Sequence, residues 1–276
     1  MNNALNEEEL TKLHKVLLHI LLAFDKVCRE NNLTYFLDSG TALGAVRHSG
    51  FIPWDDDVDV GMPRKDYELF LKIGPKKMPK EFFIQTKETD PAYKRNAAKL
   101  RLNGTIFEEI DDLQNGHNGI YIDIFPFDNI PHNNILANID LAISRVLLYI
   151  VRSWYGSGNS SSLFRRFIIR TLIKRFSEEQ INYINELYVR YCRKYENCKP
   201  RKITCYYWGM SQYKTYTFKT SKIFPVKEII FEGHPLRIAQ DYDYYLKKMY
   251  GDYMTPLASN NRTFHLKGKI DFGQYI

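Results

Sequence analysis

The sequence predicts an α+β protein that carries a basic helical insertion. Three observations predict this class: an amphipathic helix pattern near the N terminus, an alternation of short strands and helices up to about residue 131, and a helical pattern over residues 133–199. At 276 residues, the chain can form one large domain or two small ones. We predict a core over residues 1–132, a basic helical region over 133–220, and a C-terminal part over 221–276 that packs back on the core.

The first predicted element is an amphipathic helix. Its apolar residues recur mostly at three- and four-residue intervals, which places them on one face. They are Leu10, Leu13, Val16, Leu17, Ile20, Leu21, Phe24, Val27 and Cys28. Asn6 is the expected N-cap, and Glu9, three residues later, completes a capping box. We expect the helix to end near Asn31-Asn32, because asparagine tolerates the left-handed cap conformation.

Short strands and helices are predicted to alternate after this helix. The predicted strands cover residues 33–37, 57–62, 81–86, 98–102, 105–110 and 119–125. The predicted helices cover residues 42–47 and 63–73. Pro63 suits the first position of the second helix. The dipeptide Asn103-Gly104 predicts a two-residue hairpin between its flanking strands, and Pro126 is expected to stop the last strand.

The rest of the chain is predicted to be helical and then mixed. A Gly/Ser-rich break at residues 156–162 divides the helical region. Beyond that region we predict a hairpin over residues 226–238 with its turn near Glu232-Gly233. A helix over residues 241–250 and an irregular tail complete the predicted fold.

The net charge of +7 is concentrated in one region. Residues 145–202 contain 13 Lys or Arg against 4 Glu, a net +9, which leaves −2 for the rest of the chain. Residues 163–176 form a basic amphipathic pattern, typical either of a helix at an anionic membrane surface or of a packed helix with a solvated basic face. The basic residues form no recognisable nucleic-acid-binding module, so no nucleic-acid partner is expected.

Targeting signals and cysteines indicate the compartment. The N-terminal residues lack a basic patch followed by an apolar core, so no signal peptide is predicted. No uninterrupted apolar stretch reaches the ~20 residues that span a bilayer. The four cysteines match no common zinc-site spacing and are expected to be free thiols. We therefore predict a cytoplasmic protein, with peripheral contact at the inner face of the cytoplasmic membrane through the basic region.

Three acidic residues alternate within the segment Asp55-Asp56-Asp57-Val58-Asp59. Side chains two apart on a strand point to the same side, about 6–7 Å from each other. Like charges placed so closely repel, and a cation between them relieves the repulsion. Carboxylate oxygens suit Mg²⁺, with Mn²⁺ as a further candidate. The alternative is an acidic loop facing solvent, but the interleaved apolar residues, Val58 among them, favour a strand at a cleft.

Two further features of the sequence carry related chemistry. Asp38-Ser39-Gly40-Thr41, at a predicted strand-to-helix junction, offers backbone N–H groups and hydroxyls that can cradle a phosphate, although such residues are also common in ordinary turns. Arg47 lies between this turn and the acidic segment and can neutralise a phosphate oxygen. Asp123 interrupts the apolar segment 119–125, where an acid is costly to bury unless it is salt-bridged or metal-bound.

Two long motifs carry a resemblance to a known family. They are Tyr35-Phe36-Leu37-Asp38-Ser39-Gly40-Thr41-Ala42-Leu43-Gly44 and Arg47-His48-Ser49-Gly50-Phe51-Ile52-Pro53-Trp54-Asp55-Asp56-Asp57-Val58-Asp59. This part of the sequence resembles the signature of the LicD family of phosphorylcholine transferases, which is related to the fukutin-type enzymes. Three further segments resemble features of the family, namely Lys99-Leu100-Arg101, Ile122-Asp123-Ile124-Phe125-Pro126 and Tyr250-Gly251-Asp252-Tyr253-Met254.

The resemblance implies a nucleotidyltransferase-like fold, which is a small mixed sheet flanked by helices. It implies that Ser39, Gly40 and Thr41 form the phosphate turn. The implied metal ligands are Asp57, Asp59 and Asp123, and Asp55 also matches an acid of the family. The implied donor is CDP-choline, or CDP-ribitol in the fukutin-type branch. The implied acceptor is a hydroxyl of a glycan, free or lipid-linked, or of a teichoic acid precursor.

The implied reaction is in-line attack of the acceptor hydroxyl on the phosphorus distal to the cytidine. CMP leaves, and Mg²⁺ stabilises the charge on the reacting oxygens. Asp55 or Asp123 would accept the proton of the acceptor. Lys99 and Arg101, on one face of their strand, would hold the diphosphate.

A choline head group must be recognised by aromatic faces and negative charge, since it cannot donate conventional hydrogen bonds. The candidates for such a cage are Phe51, Trp54, Tyr121 and Phe125, each of which can equally be a core residue. Two other functions stay open. One is a glycosyltransferase that uses Asp57-Val58-Asp59 as a DxD pair with a sugar nucleotide. The other is a basic protein that binds polyanions or membranes without turnover.

Overall fold

The computed structural model describes residues 5–109, 116–156, 171–208, 215–255 and 264–276. The chain divides into two compact units. Unit 1 comprises Met1–Pro126 and Ser221–Ile276, and unit 2 comprises Phe127–Thr220. The predicted Gly/Ser break and the predicted basic stretch 163–176 lie mostly outside the described residues.

A mixed sheet flanked by helices forms the centre of unit 1, so the predicted α+β class is confirmed. Its strands are β1 (Phe36–Leu37), β2 (Asp59–Pro63), β3 (Phe82–Gln85), β4 (Ala98–Leu102) and β6 (Tyr121–Ile130). Strand β5 (Ile106–Glu109) belongs to a separate two-stranded sheet. The strands of the mixed sheet lie in the order β1, β2, β6, β4, β3. Because β2 and β6 are neighbours, Asp59 and Asp123 lie on adjacent strands.

Helix α1 (Glu7–Glu30) confirms the first predicted element. The Asn6 side chain accepts from the Glu9 N–H (2.9 Å), and the Glu9 carboxylate accepts from the Asn6 N–H (3.0 Å), so the capping box is formed. All nine predicted apolar residues are buried, Leu13 and Phe24 completely. Burying a side chain of this size stabilises the fold by about 1.5–3 kcal/mol. Burial of this apolar face against the rest of unit 1 therefore stabilises the helix.

The two short helices of unit 1 extend beyond their predicted bounds. Helix α2 (Ser39–His48) begins three residues early, because Asp38 caps the Ser39 N–H. Helix α3 (Arg64–Lys77) begins directly after Pro63, which stands in the N-cap position and not, as predicted, inside the helix. It also continues beyond residue 73, with Pro75 in its last turn.

The hairpin predicted at Asn103-Gly104 is not formed. Strand β4 pairs with β3 on one side and β6 on the other, so it offers no free edge to β5. Asn103 instead bonds outward: its N–H donates to Glu81 O (2.8 Å), and its side-chain amide donates to Lys80 O (3.0 Å). Tertiary pairing of β4 therefore overrides the local turn signal.

Strand β6 continues past Pro126, where it was predicted to stop. It pairs with β4 as far as Ile124, and from Asp128 its last residues pair with β7 (Lys202–Thr204) in unit 2. Pro126 lies between the two paired stretches, so its missing N–H removes no hydrogen bond from either ladder.

Unit 2 is mainly helical. Helices α4 (Asn134–Tyr155) and α5 (Glu178–Arg193) enclose a core of Leu141, Leu148, Tyr188, Cys192 and Tyr206. Short 3₁₀ turns cover Ile173–Arg175 and Tyr206–Trp208, and β7 pairs with β8 (Thr217–Lys219). Among the described residues, α4 is the one helix long and apolar enough to cross a membrane by length and composition, and 33% of its most apolar window is buried.

The C-terminal part of unit 1 contains the predicted hairpin and helix. Strands β9 (Lys227–Phe231) and β10 (His234–Ile238) are antiparallel, and their two-residue turn uses Glu232 and Gly233, both at positive φ. The short helix α6 (Thr220–Ile223) precedes them, and α7 (Tyr242–Tyr250) follows with Asp241 as its N-cap. The tail predicted to be irregular contains β11 (Leu266–Asp271), which pairs with β5.

Candidate active site

Three of the predicted acids lie at the start of β2. Asp59 is the first residue of the strand, whereas Asp55 and Asp57 lie in the preceding loop, so they do not alternate along one strand as predicted. The loop is held by His14, whose Nε2 donates to Asp55 O (2.8 Å), and by a turn in which Asp55 N–H donates to Ile52 O (2.9 Å). The two carboxylates still lie close together, since the charge of Asp57 adds to burial in raising the pKa of Asp55.

Asp123 adds a fourth carboxylate from the neighbouring strand. Its N–H donates to Val58 O (2.8 Å), which ties β6 to the residue before Asp59. Burial raises the pKa of Asp57 to about 6 and the pKa values of Asp55 and Asp59 well above their usual range. Repulsion between neighbouring carboxylates adds to each shift. The site therefore favours either protons or a bound cation.

Asp56, between the predicted acids, has a different role. Its Oδ2 accepts from the N–H groups of His265 (2.8 Å) and Leu266 (3.0 Å), and its Oδ1 lies 2.9 Å from His265 Nδ1. His265 Nδ1 also lies 3.4 Å from Asp57. The charge of Asp57, with Asp56, raises the pKa of His265 to about 10. Asp56 thus fixes the chain before β11 against the site, and His265 brings a positive charge to its edge.

The predicted phosphate turn lies at the N terminus of α2. Ser39 has a φ of +46°, which is unfavourable for a residue with a Cβ. Its N–H donates to Asp38 Oδ1 (2.9 Å) and to Tyr245 Oη (3.0 Å). The Tyr245 hydroxyl in turn donates to Asp38 Oδ1. These three hydrogen bonds hold the turn in its strained conformation.

The turn directly adjoins the acids. Thr41 Oγ1 accepts from the Asp59 N–H (2.8 Å). A Cβ at Gly40 would lie 2.8 Å from Asp55 Oδ2, so glycine is required for this close approach. Arg47 is half-buried, its Nη1 donates to Tyr253 O (3.0 Å), and its charge attracts Asp55. The structure thus brings together the predicted turn, Arg47 and Asp55.

Lys99 lies between the acids and a buried glutamate. Its Nζ is 2.9 Å from Glu109 and 3.4 Å from Asp123, and it lies 3.1 Å from the centre of the Tyr121 ring. The Tyr121 hydroxyl also donates to Glu109 (2.7 Å). Burial lowers the pKa of Lys99. Lys99 can therefore compensate the charge of Asp123 but is fully buried.

Arg101 does not fit the predicted role of diphosphate ligand. Its side chain is 1% exposed, and its guanidinium donates to Gln85 (2.5 Å), Gly119 O (2.6 Å) and Glu109 (3.1 Å). A guanidinium held in this way stabilises the sheet and the position of Glu109. Sequence spacing placed Arg101 correctly beside Lys99, but it could not reveal that Glu109 lies opposite both.

The predicted aromatic cage of four residues is not formed. Tyr121 is buried with Lys99 and Arg101 over its ring, and Phe125 is 2% exposed. Phe51 is buried and stacks on His14 at 4.2 Å. Trp54 alone of the four is half-buried, with its ring 6.5 Å from that of His48. Three of the candidates are therefore core residues.

The donor set fits a hard divalent cation. All the predicted ligands offer carboxylate oxygens, which Mg²⁺ prefers. Asp38, whose charge acts on Asp59, is fully buried, and its Oδ2 has no hydrogen-bond partner. Asp56, Asp57 and His265 also place ligand atoms within 4.8 Å of one another. We favour Asp57, Asp59 and Asp123, because both oxygens of Asp56 already accept hydrogen bonds.

A Ser-Gly-Thr turn beside acids on two adjacent strands defines a nucleotidyltransferase-like domain. Residues 32–145 match the family model described as "LicD/FKTN/FKRP, nucleotidyltransferase domain". This match and the sequence resemblance therefore indicate the same family, LicD.

Curated relatives extend the match along the chain. The chain is 27% identical over 259 residues to the lipopolysaccharide cholinephosphotransferase LicD of Haemophilus influenzae, covering 91% of this chain and 94% of that protein. Short segments match uncharacterised proteins of Rickettsia typhi (52% over 46 residues, 17% of this chain and 15% of that protein) and Rickettsia prowazekii (57% over 43 residues, 16% of each). The first relative therefore matches in length as well as in sequence.

Three residues at the site escaped the sequence interpretation: Tyr245, His265 and Glu109. Each reaches the site through tertiary structure, and Tyr245 and Asp38 are 207 residues apart. No local sequence pattern marks any of the three, because their partners belong to segments that do not pair with them along the chain.

Proposed function

We propose that the protein transfers phosphocholine from CDP-choline to a hydroxyl of a cell-surface glycan or teichoic acid precursor, releasing CMP. The observation that carries this proposal is the cluster of carboxylates with raised pKa values beside the Ser39-Gly40-Thr41 turn. The Haemophilus influenzae relative, matched over 91% of the chain, is a cholinephosphotransferase, which supports the choice of group.

The turn would bind the diphosphate of the donor. The N terminus of α2 carries a partial positive charge, and the absence of a Cβ at Gly40 brings its backbone close to Asp55. Arg47, whose charge attracts Asp55, would neutralise a phosphate oxygen. A donor bound here lies beside the carboxylates.

Asp55 would act as the general base. The acceptor oxygen forms a bond to the phosphorus that carries choline, and the bond from this phosphorus to the bridging oxygen breaks, so that CMP leaves with the electron pair. The acceptor proton moves to the Asp55 carboxylate, whose raised pKa makes it a stronger base than an ordinary aspartate. Asp123 is less suited to this role, because Lys99 compensates its charge.

Asp57, Asp59 and Asp123 would hold Mg²⁺ or Mn²⁺. The cation, when bound, supplies positive charge that stabilises the reacting phosphate oxygens. Lys99 then compensates the charge of Asp123, and His265 limits repulsion at Asp57. We place the reaction at the cytoplasmic face of the membrane, where a nucleotide-activated donor and a lipid-linked acceptor can meet.

A panel of CDP-alcohols tests the proposal. The purified protein is incubated with Mg²⁺, candidate glycan acceptors and either CDP-choline, CDP-ribitol or a UDP-sugar, and release of CMP or UDP is measured. We expect acceptor-dependent CMP release from CDP-choline, and none from the Asp57→Asn variant. Turnover of the UDP-sugar alone would contradict the proposal and favour a glycosyltransferase.

A further inference from the structure

An apolar stripe runs along the exposed face of α4. It consists of Ile135, Ile139, Ala142, Val146 and Tyr149, which recur at three- and four-residue intervals. Ile135 is 71% exposed, Ile139 49%, Val146 57% and Tyr149 37%. A contiguous apolar surface of this kind is unfavourable in water and marks an interaction site. We call these five residues the α4 stripe.

The opposite face of α4 is packed within unit 2, which limits how the helix can contact a membrane. Leu141 and Leu148 pack against α5, and the buried Asp140 accepts from Lys194 (2.8 Å) and the Tyr195 hydroxyl (2.6 Å). Crossing a bilayer would expose this acid and its partners to lipid, at a cost of several kcal/mol. The helix can therefore lie on a membrane with its stripe inward while its other face stays packed in unit 2.

Positive charge adjoins the C-terminal end of α4, beyond the last residue of the stripe. Lys174 donates to the Trp154 carbonyl oxygen of α4, and Lys174 and Arg175 are exposed. Leu172 beside them is 60% exposed. Across unit 2, residues 127–220 contain 15 Lys and Arg against 6 Asp and Glu, whereas the rest of the chain has a net charge of −2. The apolar stripe thus belongs to the basic unit.

We propose that the α4 stripe is a docking surface for an anionic lipid bilayer. Its apolar side chains enter the interface between headgroups and acyl chains, while Lys174 and Arg175 contact the anionic headgroups. The bilayer, and not a second copy of the chain, is the occupant because both the stripe and the adjoining charge match it. A symmetric pair of α4 helices would instead bring two basic units together.

Vesicle flotation tests the docking surface. The full chain is floated with vesicles of phosphatidylcholine alone or with about one-third phosphatidylglycerol. We expect binding to the anionic vesicles only, weakened by salt. Ile139→Glu and Val146→Glu each replace an exposed apolar side chain with an acid, so each is expected to weaken binding about tenfold. Arg175→Gln is expected to weaken it by a smaller factor.

Ile230→Glu is the matched control. Ile230 is 52% exposed on β9 of unit 1, so the same chemical change there should leave vesicle binding unaltered. Equal recovery with neutral and anionic vesicles, or full binding by both stripe variants, would overturn the proposal. It would also be overturned by a dimer in sedimentation that the stripe variants dissociate. The transferase proposal is tested separately, because CMP release with a soluble acceptor should be the same in the stripe variants and the wild type.

Discussion

Two buried carboxylates in unit 1, Glu109 and Asp57, shift their pKa values in opposite directions. Their side chains are 5% and 14% exposed. Burial alone would raise both, but Lys99, Arg95 and Arg101 lower the pKa of Glu109 to about 2. The pKa of Asp57 rises to about 6, even though His265 lies 3.4 Å away. The sign of the neighbouring charge, and not burial, therefore separates the two.

The difference distinguishes scaffold from site. Glu109 has cations on several sides and needs no ligand to stay ionised. Asp57 is surrounded by Asp55, Asp56 and Asp123, so its ionised form needs additional positive charge. Repulsion between the ionised carboxylates of such a cluster is unfavourable, and a cation bound together with the substrate can relieve it. Each prediction below tests this contrast.

The largest effect is expected from removing a carboxylate of the site. Asp59→Asn should reduce CMP release on the order of 10³-fold or more, because an amide is a poor ligand for Mg²⁺. It should not lower Tm in EDTA, since burial and repulsion from neighbouring carboxylates both raise the pKa of Asp59 and disfavour its ionised form. Steady-state kinetics and thermal denaturation check both parts. Glu30→Gln, at an exposed acid of the same unit, is the control and should leave both unchanged.

For the buried acid Glu109, in contrast, we expect a loss of stability. Glu109→Gln removes the buried carboxylate that Lys99 and Arg101 both contact, which costs about 3–5 kcal/mol of stability. Chemical denaturation measures this loss, and Glu88→Gln, at an exposed surface pair, should change stability by less than about 0.5 kcal/mol. Stability close to wild type for Glu109→Gln would mean that the network has no structural role.

Acidity and metal ions should act on the site together. An acid whose folded-state pKa is raised stabilises the fold at low pH, and this contribution is lost as pH rises through the folded value. Asp57 and Asp38, both with a pKa raised by burial to about 6, therefore predict a falling Tm in EDTA between pH 5 and 7. His265, with a pKa raised to about 10, contributes no opposing slope in this window.

Mg²⁺ should reverse the loss at the upper end of the window. At a hundred times its Kd, a ligand stabilises the folded state by about 2.7 kcal/mol, which corresponds to roughly 5–10 °C in Tm. The increase should be smaller at pH 5 than at pH 7.5, because protons compete for the same oxygens. Differential scanning calorimetry with Mg²⁺ or EDTA at each pH checks this, and an increase independent of pH would place the cation elsewhere.

The elements of this molecule that depend on local signals were predicted correctly from the sequence. The Asn6 cap, the bounds of β4 and the Glu232-Gly233 turn follow from neighbouring residues. The Asn103-Gly104 hairpin failed because β4 has partners on both edges.

For the site too, local sequence patterns do not reveal long-range contacts. Its motif residues converge, but the contacts that hold them come from distant segments. Tyr245 bonds Asp38, and His265 bonds Asp56, across more than 200 residues each. No local pattern could reveal either contact.

A smaller effect is expected from loosening the turn. Tyr245→Phe removes the hydroxyl that bonds both Ser39 and Asp38, and loss of a hydrogen bond to a charged group costs about 1.5–3 kcal/mol. We expect KM for the donor to rise about tenfold or more, with a smaller change in kcat. Tyr244→Phe, next to it on α7, is the matched control. Equal KM values for the two variants would mean that the Tyr245 hydroxyl does not position the turn.

The smallest effect concerns choline recognition by Trp54, the one half-buried member of the predicted cage. One cation–π contact contributes on the order of 0.5–2 kcal/mol, so Trp54→Leu should weaken donor binding roughly 2- to 30-fold. The loss should be confined to CDP-choline, because an uncharged CDP-alcohol makes no such contact. Trp54→Phe keeps an aromatic face and should recover part of the affinity. Competition binding with both donors measures these differences. Equal losses on both donors would make Trp54 a structural residue of the loop before Asp55, and choline would then be selected by the negative charge of the acids alone.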